Sequence, residues 1–422
     1  MTVPLDRLYH FIENNVKEAF TDPIVIYRFD PHGSKNINDL TPLHHATFAD
    51  VMMYPKILCF DQEPTNLEFY KEDTDPNSLI FESLGVYSHL DRVKFGGFKK
   101  YIFLHSEKRF NQTDDNLIPV YYWSHGLIAY DWFRYAKHEI FQKNSKKIFL
   151  IYNRSWSGYR EYRIKFADLL IENNLTMYCQ ASFNAVDPEL GIHYTSHKFT
   201  NQRWQAKNVI ENFLQPTEAN ATSSADFTTA DYNSTDIEVV LETLFDYPQL
   251  HLTEKSLRPI ACQQPFIIVG TQGSLEYLRN YGFKTFSSIW NESYDQIENP
   301  EERLNAVVDV MKEIASWDEI TRKSKLSQAQ EIAIYNQQWF LSQDFFNLVT
   351  NELKENLKVG LEKLKEYCDN FDWAALIESH ENQVLKNSNV FDSEHKKNNM
   401  LRNNEGMLLL KTVMQSKAKK ST

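Results

Sequence analysis

An unbroken apolar run, Phe266–Val269, places the tightest constraint on the fold of this chain. Pro265 precedes the run and Gly270 ends it. Four apolar residues between two helix breakers are too few for a buried helix, and they indicate a strand that is covered on both faces. Such strands occur in parallel sheets, because the helices that connect parallel strands pack on both faces of the sheet. The run therefore predicts an α/β fold.

Short apolar runs of the same kind recur along the 422 residues and predict two α/β domains. They are Ile24–Phe29, Lys56–Phe60, Tyr101–Leu104, Ile118–Tyr122, Ile148–Tyr152 and Ile237–Leu241. A further short strand is expected at Gly282–Phe286, and nearly continuous helix is expected from Arg303 to His380. The charged segment Gln142–Lys147 is the predicted boundary. It gives an N-terminal domain at 1–142, a second domain at 143–320, C-terminal helices at 321–385 and a polar, basic tail at 386–422.

Composition excludes several classes of protein. The net charge of −12 argues against a surface that grips nucleic acid throughout, since such binding depends on neutralising phosphates. The first twenty residues carry acidic side chains and do not resemble a signal peptide, and no apolar run reaches membrane-spanning length. The four cysteines are far apart and show no metal-ligand spacing. We expect a cytoplasmic protein that has no transmembrane segment and needs no metal or cofactor.

Two groups of charged residues follow predicted strands of the second domain. Arg154, Arg160 and Arg163 lie in or just after the loop that follows Ile148–Tyr152, and Thr253, Glu254, Lys255 and Arg258 open the helix before Phe266. Loops at the carboxyl ends of parallel strands converge on one crevice. Arginine and lysine beside a helix N-terminus favour phosphate binding. The alternative is that these charges are solvated residues at the starts of two helices.

The order of these residues resembles the family 10 glycosyltransferases, inverting α-1,3-fucosyltransferases of the two-domain GT-B fold. Arg163–Phe166 resembles the R-x-x-F pattern of that family, and Leu241–Thr243 loosely resembles its F-E-N strand end. Thr253–Lys255 matches its T-E-K motif. The resemblance implies a GT-B-like chain with two Rossmann-type domains facing across a cleft and a helical C-terminal region. It covers about 56–286 and is specific only around the T-E-K motif.

The resemblance also implies roles for individual residues. Arg163, Glu254 and Lys255 would bind a GDP-sugar, with a UDP-sugar as second choice, and Glu242 at the strand end would assist. In the first domain Glu63 would be the base that deprotonates an acceptor hydroxyl, and the expected acceptor is a glycan.

Other residues of the first domain leave alternatives open. Asp61 is an equally placed base, although both acids could instead shape a turn before Pro64. His44 and His125 could face the acceptor. The Asp73–Asp75 triplet matches a manganese motif of another fold, but the Pro-Asn pair that follows it favours a turn.

Two other functions fit the same residues. The acceptor could be hydroxymethylated DNA, as in bacteriophage enzymes that glycosylate their genomes in the host cytoplasm. That function needs a local basic groove, to which the tail and the cluster Lys94–Lys100 could contribute. Alternatively, a GT-B-like scaffold could serve as a non-catalytic binding protein.

Overall fold

The computed structural model describes residues 5–20, 23–29, 40–44, 54–60, 100–110, 117–134, 143–208 and 226–370. The fold is α/β, as the apolar runs predict, and all of these runs form strands. The first sheet has the order β2-β1-β3-β4-β5 and is parallel except for β2, which pairs antiparallel with β1. Its strands are β1 (Val25–Phe29), β2 (Leu40–Pro42), β3 (Lys56–Cys59), β4 (Tyr101–His105) and β5 (Leu117–Tyr121).

The second sheet is entirely parallel, with the order β7-β6-β8-β9. Its strands are β6 (Lys147–Tyr152), β7 (Cys179–Ser182), β8 (Thr235–Leu241) and β9 (Phe266–Val269). Every residue of β9 is buried, which agrees with a strand covered on both faces. After β6 the chain moves to one side of the sheet for β7 and then to the other side for β8. The order of the strands therefore reverses between β6 and β8.

Helices connect and follow the strands, and three long ones fill nearly all of residues 300–369. The helices are α1 (Leu5–Ala19), α2 (Ser124–Phe133), α3 (Tyr162–Glu172), α4 (Thr229–Ser234), α5 (Glu254–Ala261), α6 (Ser274–Asn280), α7 (Pro300–Ser316), α8 (Glu319–Phe340) and α9 (Gln343–Asp369). In α3 every residue from Tyr162 to Leu170 is buried, the charged ones included. Among the described residues, no helix has both the length and the apolarity to cross a membrane.

The chain divides into two compact units, each containing one sheet. The β6–β9 unit comprises Met1–Leu8, Glu107–Phe110 and Trp123–Glu352. The β1–β5 unit comprises Tyr9–Ser106, Asn111–Tyr122 and Leu353–Thr422. In this division α2 belongs with the second sheet, and α9 is divided between the units after Glu352. The domain boundary at residue 142 stays a prediction.

The predicted strand at Gly282–Phe286 is wrong, because α8 takes up the hydrogen-bonding groups of this segment. Gly282 has a φ of 85°, a turn conformation that favours glycine. The Lys284 N–H donates to Asn336 Oδ1, and Asn336 Nδ2 donates back to the Lys284 carbonyl, both at 2.8 Å. The amide side chain of Asn336 thus satisfies the groups that a neighbouring strand would have paired.

Candidate functional site

The candidate site lies at the carboxyl edge of the β6–β9 sheet. In open parallel sheets ligands bind outside the carboxyl ends of the strands, at the place where the strand order reverses. Here that place is between β6 and β8. The segments that leave this edge are 153–157 after β6, 242–253 after β8 and 270–273 after β9.

Arg163 lies beneath this edge and joins the ends of β6 and β8. It is buried, and its guanidinium donates to the carbonyls of Ser155 and Leu241, both at 2.6 Å. It also donates to the Glu242 carbonyl at 3.0 Å and to Asn153 Oδ1 at 3.1 Å. Burial lowers the pKa of Arg163. Arg163, which the resemblance assigns to binding of the nucleotide sugar, thus uses most of its N–H groups to hold two strand ends together.

Glu242 occupies the N-terminus of α5, where the sequence analysis predicts a phosphate. Its buried carboxylate accepts hydrogen bonds from the N–H groups of Thr253 and Ser256, both at 3.2 Å. The hydroxyls of the same two residues donate to it at 2.8 and 2.6 Å. The favourable interaction of an anion with a helix N-terminus is therefore made by the protein itself.

Asp187 binds the backbone N–H groups of the loop that follows β6 in a similar way. This buried carboxylate accepts hydrogen bonds from the Ser155 hydroxyl at 2.7 Å and from the N–H groups of Trp156 and Ser157 at 2.8 and 3.0 Å. Burial alone would raise the pKa of Asp187, but these donors and the Glu189 N–H outweigh it and lower the pKa. Both loops predicted to face phosphate thus hold an internal carboxylate.

Replacing Asp187 by asparagine is expected to lower the free energy of unfolding at pH 7 by about 1–3 kcal/mol, because an amide accepts these hydrogen bonds more weakly than a carboxylate. The folded-state pKa of Asp187 lies below its ordinary value of 3.8. Its stabilising contribution is therefore present above pH 3.8 and is lost as the pH falls through the folded-state pKa. Urea denaturation at pH 7 and at successively lower pH measures both effects.

Glu189→Gln is the matched control for this prediction. Glu189 is two residues away, and its partly exposed carboxylate pairs with Arg160 at 2.6 Å. We expect a change below about 1 kcal/mol for this variant, as for other exposed pairs. Equal losses of unfolding free energy for the two variants at pH 7 would contradict the structural role of Asp187.

A continuous polar chain, called here the His–Glu–Lys chain, links His251, His125, Glu254 and Lys255 within the β6–β9 unit. Lys255 Nζ lies 2.9 Å from Glu254 Oε1, and His125 Nε2 lies 3.1 Å from Glu254 Oε2. His251 Nε2 lies 2.9 Å from His125 Nδ1. Because a carboxylate only accepts, Nε2 of His125 carries a proton and donates to Glu254.

The two ends of this chain differ in exposure. His251 is buried, whereas the Lys255 and His125 side chains are 15% and 12% exposed. In the described part of the chain, the Lys255 ammonium contacts Glu254 and the Thr253 hydroxyl. Lys255, Glu254 and His125 therefore lie together, and the acceptor-facing role of His125 stays a prediction. His251 has no sequence signal that would have identified it.

The remaining predicted arginines lie in three different settings. Arg258 is buried and pairs at 2.5 Å with Glu238, which lies in the middle of β8. Arg160 pairs with Glu189 near the surface. Arg154 is exposed and has no side-chain partner among the described residues. Arg154 is thus the predicted arginine that is most available to a ligand.

The predicted residues of the β1–β5 unit are only partly described. His44 is exposed and lies 2.9 Å from Glu13 Oε1. Asp61, Glu63 and the Asp73–Asp75 triplet lie outside the described residues. Within the described residues, no group of three or more His, Cys, Asp or Glu side chains could hold a metal ion.

Comparisons with models of known protein families, with curated proteins and with solved structures find no match. The chemistry of the residues at the carboxyl edge of the β6–β9 sheet therefore carries the functional conclusion. Among the residues described above, Lys255, His125 and Arg154 are the ones that a ligand can reach there.

Proposed function

We propose that the chain is an inverting, metal-independent glycosyltransferase of the GT-B type. Its nucleotide-sugar donor binds at the carboxyl edge of the β6–β9 sheet. The observation that supports this proposal best is the position of Thr253–Lys255. These residues open α5 after the loop that leaves β8, one of the two strands between which the strand order reverses, and the Lys255 ammonium is partly exposed.

Each reachable group has a role in this proposal. Lys255 and Arg154 supply positive charge to the diphosphate of the donor, which is also the leaving group of the transfer. Glu254, which His125 orients, accepts a hydrogen bond from a hydroxyl group of the nucleotide sugar. Arg163 and Glu242 act beneath the surface as positioning residues, since they hold the strand ends and the start of α5.

The transfer also needs a base for the acceptor hydroxyl. Glu63, or Asp61 beside it, is proposed for this role on the sequence resemblance. The base removes the proton of an acceptor hydroxyl as that oxygen bonds to the anomeric carbon and the nucleoside diphosphate leaves. A GDP-sugar is the first choice of donor and a UDP-sugar the second, and a glycan is the proposed acceptor.

One observation favours the non-catalytic alternative. Glu242 and Asp187 already occupy the backbone N–H groups that nucleotide-binding loops commonly offer to phosphate. A scaffold that no longer binds a nucleotide sugar would show the same backbone N–H groups bound by its own carboxylates. The two functions differ in whether a sugar nucleotide binds and turns over.

The Lys255→Ala variant tests the donor site. A panel of GDP-, UDP-, CMP- and dTDP-sugars is expected to raise the Tm of the wild-type protein, with GDP-sugars giving the largest shift. Lys255→Ala is expected to weaken donor binding by about 10- to 100-fold, because hydrogen bonds to charged groups contribute about 1.5–3 kcal/mol. Isothermal titration calorimetry measures this loss directly.

Two further variants complete the test. Lys312→Ala removes an exposed lysine that pairs with Asp309, and it is expected to bind donor like the wild type. Glu63→Gln is expected to bind donor normally but to lose turnover. A protein whose Tm responds to no sugar nucleotide, and which hydrolyses none, would overturn the proposed function in favour of the non-catalytic scaffold.

A further inference from the structure

Arg109, which belongs to none of the sequence motifs, lies at the same edge of the β6–β9 sheet. It belongs to the segment Glu107–Phe110 of the β6–β9 unit. Its Nη2 donates to the Gln272 carbonyl at 2.7 Å, after β9, and its Nη1 lies 3.4 Å from the Pro248 carbonyl, after β8. The guanidinium thus bridges the loops that leave two adjacent strands.

Arg109 has no carboxylate partner among the described residues, in contrast to Arg160 and Arg258. Arg160 pairs with Glu189, and Arg258 pairs with Glu238. Arg109 is exposed, and its two carbonyl contacts use two of the five N–H donors of a guanidinium. The guanidinium is charged and planar, and its three remaining N–H groups are suited to binding an oxyanion.

A second arginine, Arg303, lies at the same strand ends. Arg303 is buried there and donates to the carbonyls of Gly270 and Phe245. Burial is the main cause that lowers the pKa of Arg303 to about 10, with the positive charge of Arg109 acting in the same direction and Asp295 and Asp246 opposing. Two guanidinium groups thus lie near each other at the ends of β8 and β9.

Gly273 makes the position of the Arg109 side chain possible. Its φ of 84° favours glycine, and a Cβ built on it would lie 2.7 Å from Arg109 Nη2. The Gly273 N–H donates to the Asp295 carbonyl at 2.9 Å, which holds this backbone in place. A side chain at residue 273 would therefore push the guanidinium away from the Gln272 carbonyl.

We propose that Arg109 is an oxyanion-binding residue that contacts a phosphate group of the nucleoside diphosphate. This inference rests on the proposed donor site and adds a residue that neither the T-E-K motif nor the R-x-x-F motif contains. The two carbonyl contacts fix the guanidinium before ligand arrives, and its outer N–H groups donate to phosphate oxygens. An arginine held in this way loses little side-chain freedom on binding.

Calorimetric titration with a GDP-sugar and, separately, with inorganic pyrophosphate tests the inference. Arg109→Gln is expected to weaken the binding of both by about 10- to 100-fold. Arg109→Lys keeps the charge but not the planar fork, so an intermediate loss is expected. Gly273→Ala is expected to reduce binding in the wild-type background and to have little further effect in the Arg109→Gln background.

Arg322→Gln is the matched control. Arg322 lies on α8 and interacts with Asp236, at the amino end of β8 and hence at the opposite edge of the sheet. This variant is expected to bind both ligands like the wild type.

The outcomes separate the two proposals. If the wild type binds the GDP-sugar and Arg109→Gln binds it equally well, the role of Arg109 is wrong and the donor site stands. If the wild type binds pyrophosphate but no sugar nucleotide, and Arg109→Gln loses that binding, the oxyanion site stands and the glycosyltransferase proposal fails. A wild-type protein that binds neither ligand overturns both.

Discussion

Replacing Arg258 by methionine is expected to lower the free energy of unfolding by about 3–5 kcal/mol, the usual loss when one partner of a buried ion pair is removed. Arg258 Nη2 lies 2.5 Å from Glu238 Oε1, and both side chains are buried. Burial opposes the charge of Arg258, but Glu238 outweighs it and raises the pKa of Arg258. Without Arg258, the Glu238 carboxylate would remain in the core with the Tyr232 hydroxyl as a hydrogen-bond donor.

Equilibrium denaturation in urea measures this loss, and two variants control it. The double variant Glu238→Gln/Arg258→Met leaves no unpaired charge in the core, so it is expected to be more stable than Arg258→Met alone. Arg160→Met breaks the near-surface pair with Glu189 and is expected to cost less than about 1 kcal/mol. An Arg258→Met protein as stable as Arg160→Met would show that the buried pair contributes little.

Replacing Glu242 by alanine is expected to lower the free energy of unfolding by about 3 kcal/mol, because hydrogen bonds to a charged acceptor are lost and buried donors are left without partners. These donors are the N–H and hydroxyl groups of Thr253 and Ser256. The start of α5 would also lose the anion at its N-terminus. The unfolding midpoint in urea and the far-ultraviolet circular dichroism spectrum report both effects.

Two comparisons distinguish this positioning role from direct donor binding. Glu242→Gln keeps an acceptor oxygen in place and is expected to lose about half as much stability as Glu242→Ala. Lys255→Ala is expected to lose donor affinity with little change in stability, because its side chain is partly exposed. A Glu242→Gln protein with wild-type stability but no donor affinity would instead make Glu242 a ligand contact.

Seven of the nine described strands were predictable from the sequence, because the information that defines them is local. Phe266–Val269 and Ile148–Tyr152 are apolar runs with clear ends, and burial in a parallel sheet follows from that pattern. The short strands β2 and β7 have no such run. The predicted strand that does not form is Gly282–Phe286, where the hydrogen bonds are made by Asn336. That residue is 52 positions from its partner Lys284, a separation that no local pattern reveals.

The candidate site was less predictable, because charged residues near strand ends serve both ligands and the protein itself. Arg163 and Glu242 lie at the expected edge, yet their hydrogen bonds hold carbonyls and a helix N-terminus together. His125 meets Glu254 over a separation of more than a hundred residues, and Arg109 meets Gln272 over 163. Spacing along the chain identified the edge but could not assign each charge to a ligand or to the fold.

The internal carboxylates have a consequence for the thermodynamics of ligand binding. Asp187 and Glu242 hold the loops after β6 and β8 in place in the unliganded protein. In many nucleotide sites these loops become ordered only when phosphate arrives, and the conformational entropy lost then reduces the affinity. Here that entropy is already lost on folding. A ligand at this edge would therefore meet a pre-organised surface, and its affinity would depend on the contacts it makes rather than on ordering of the chain.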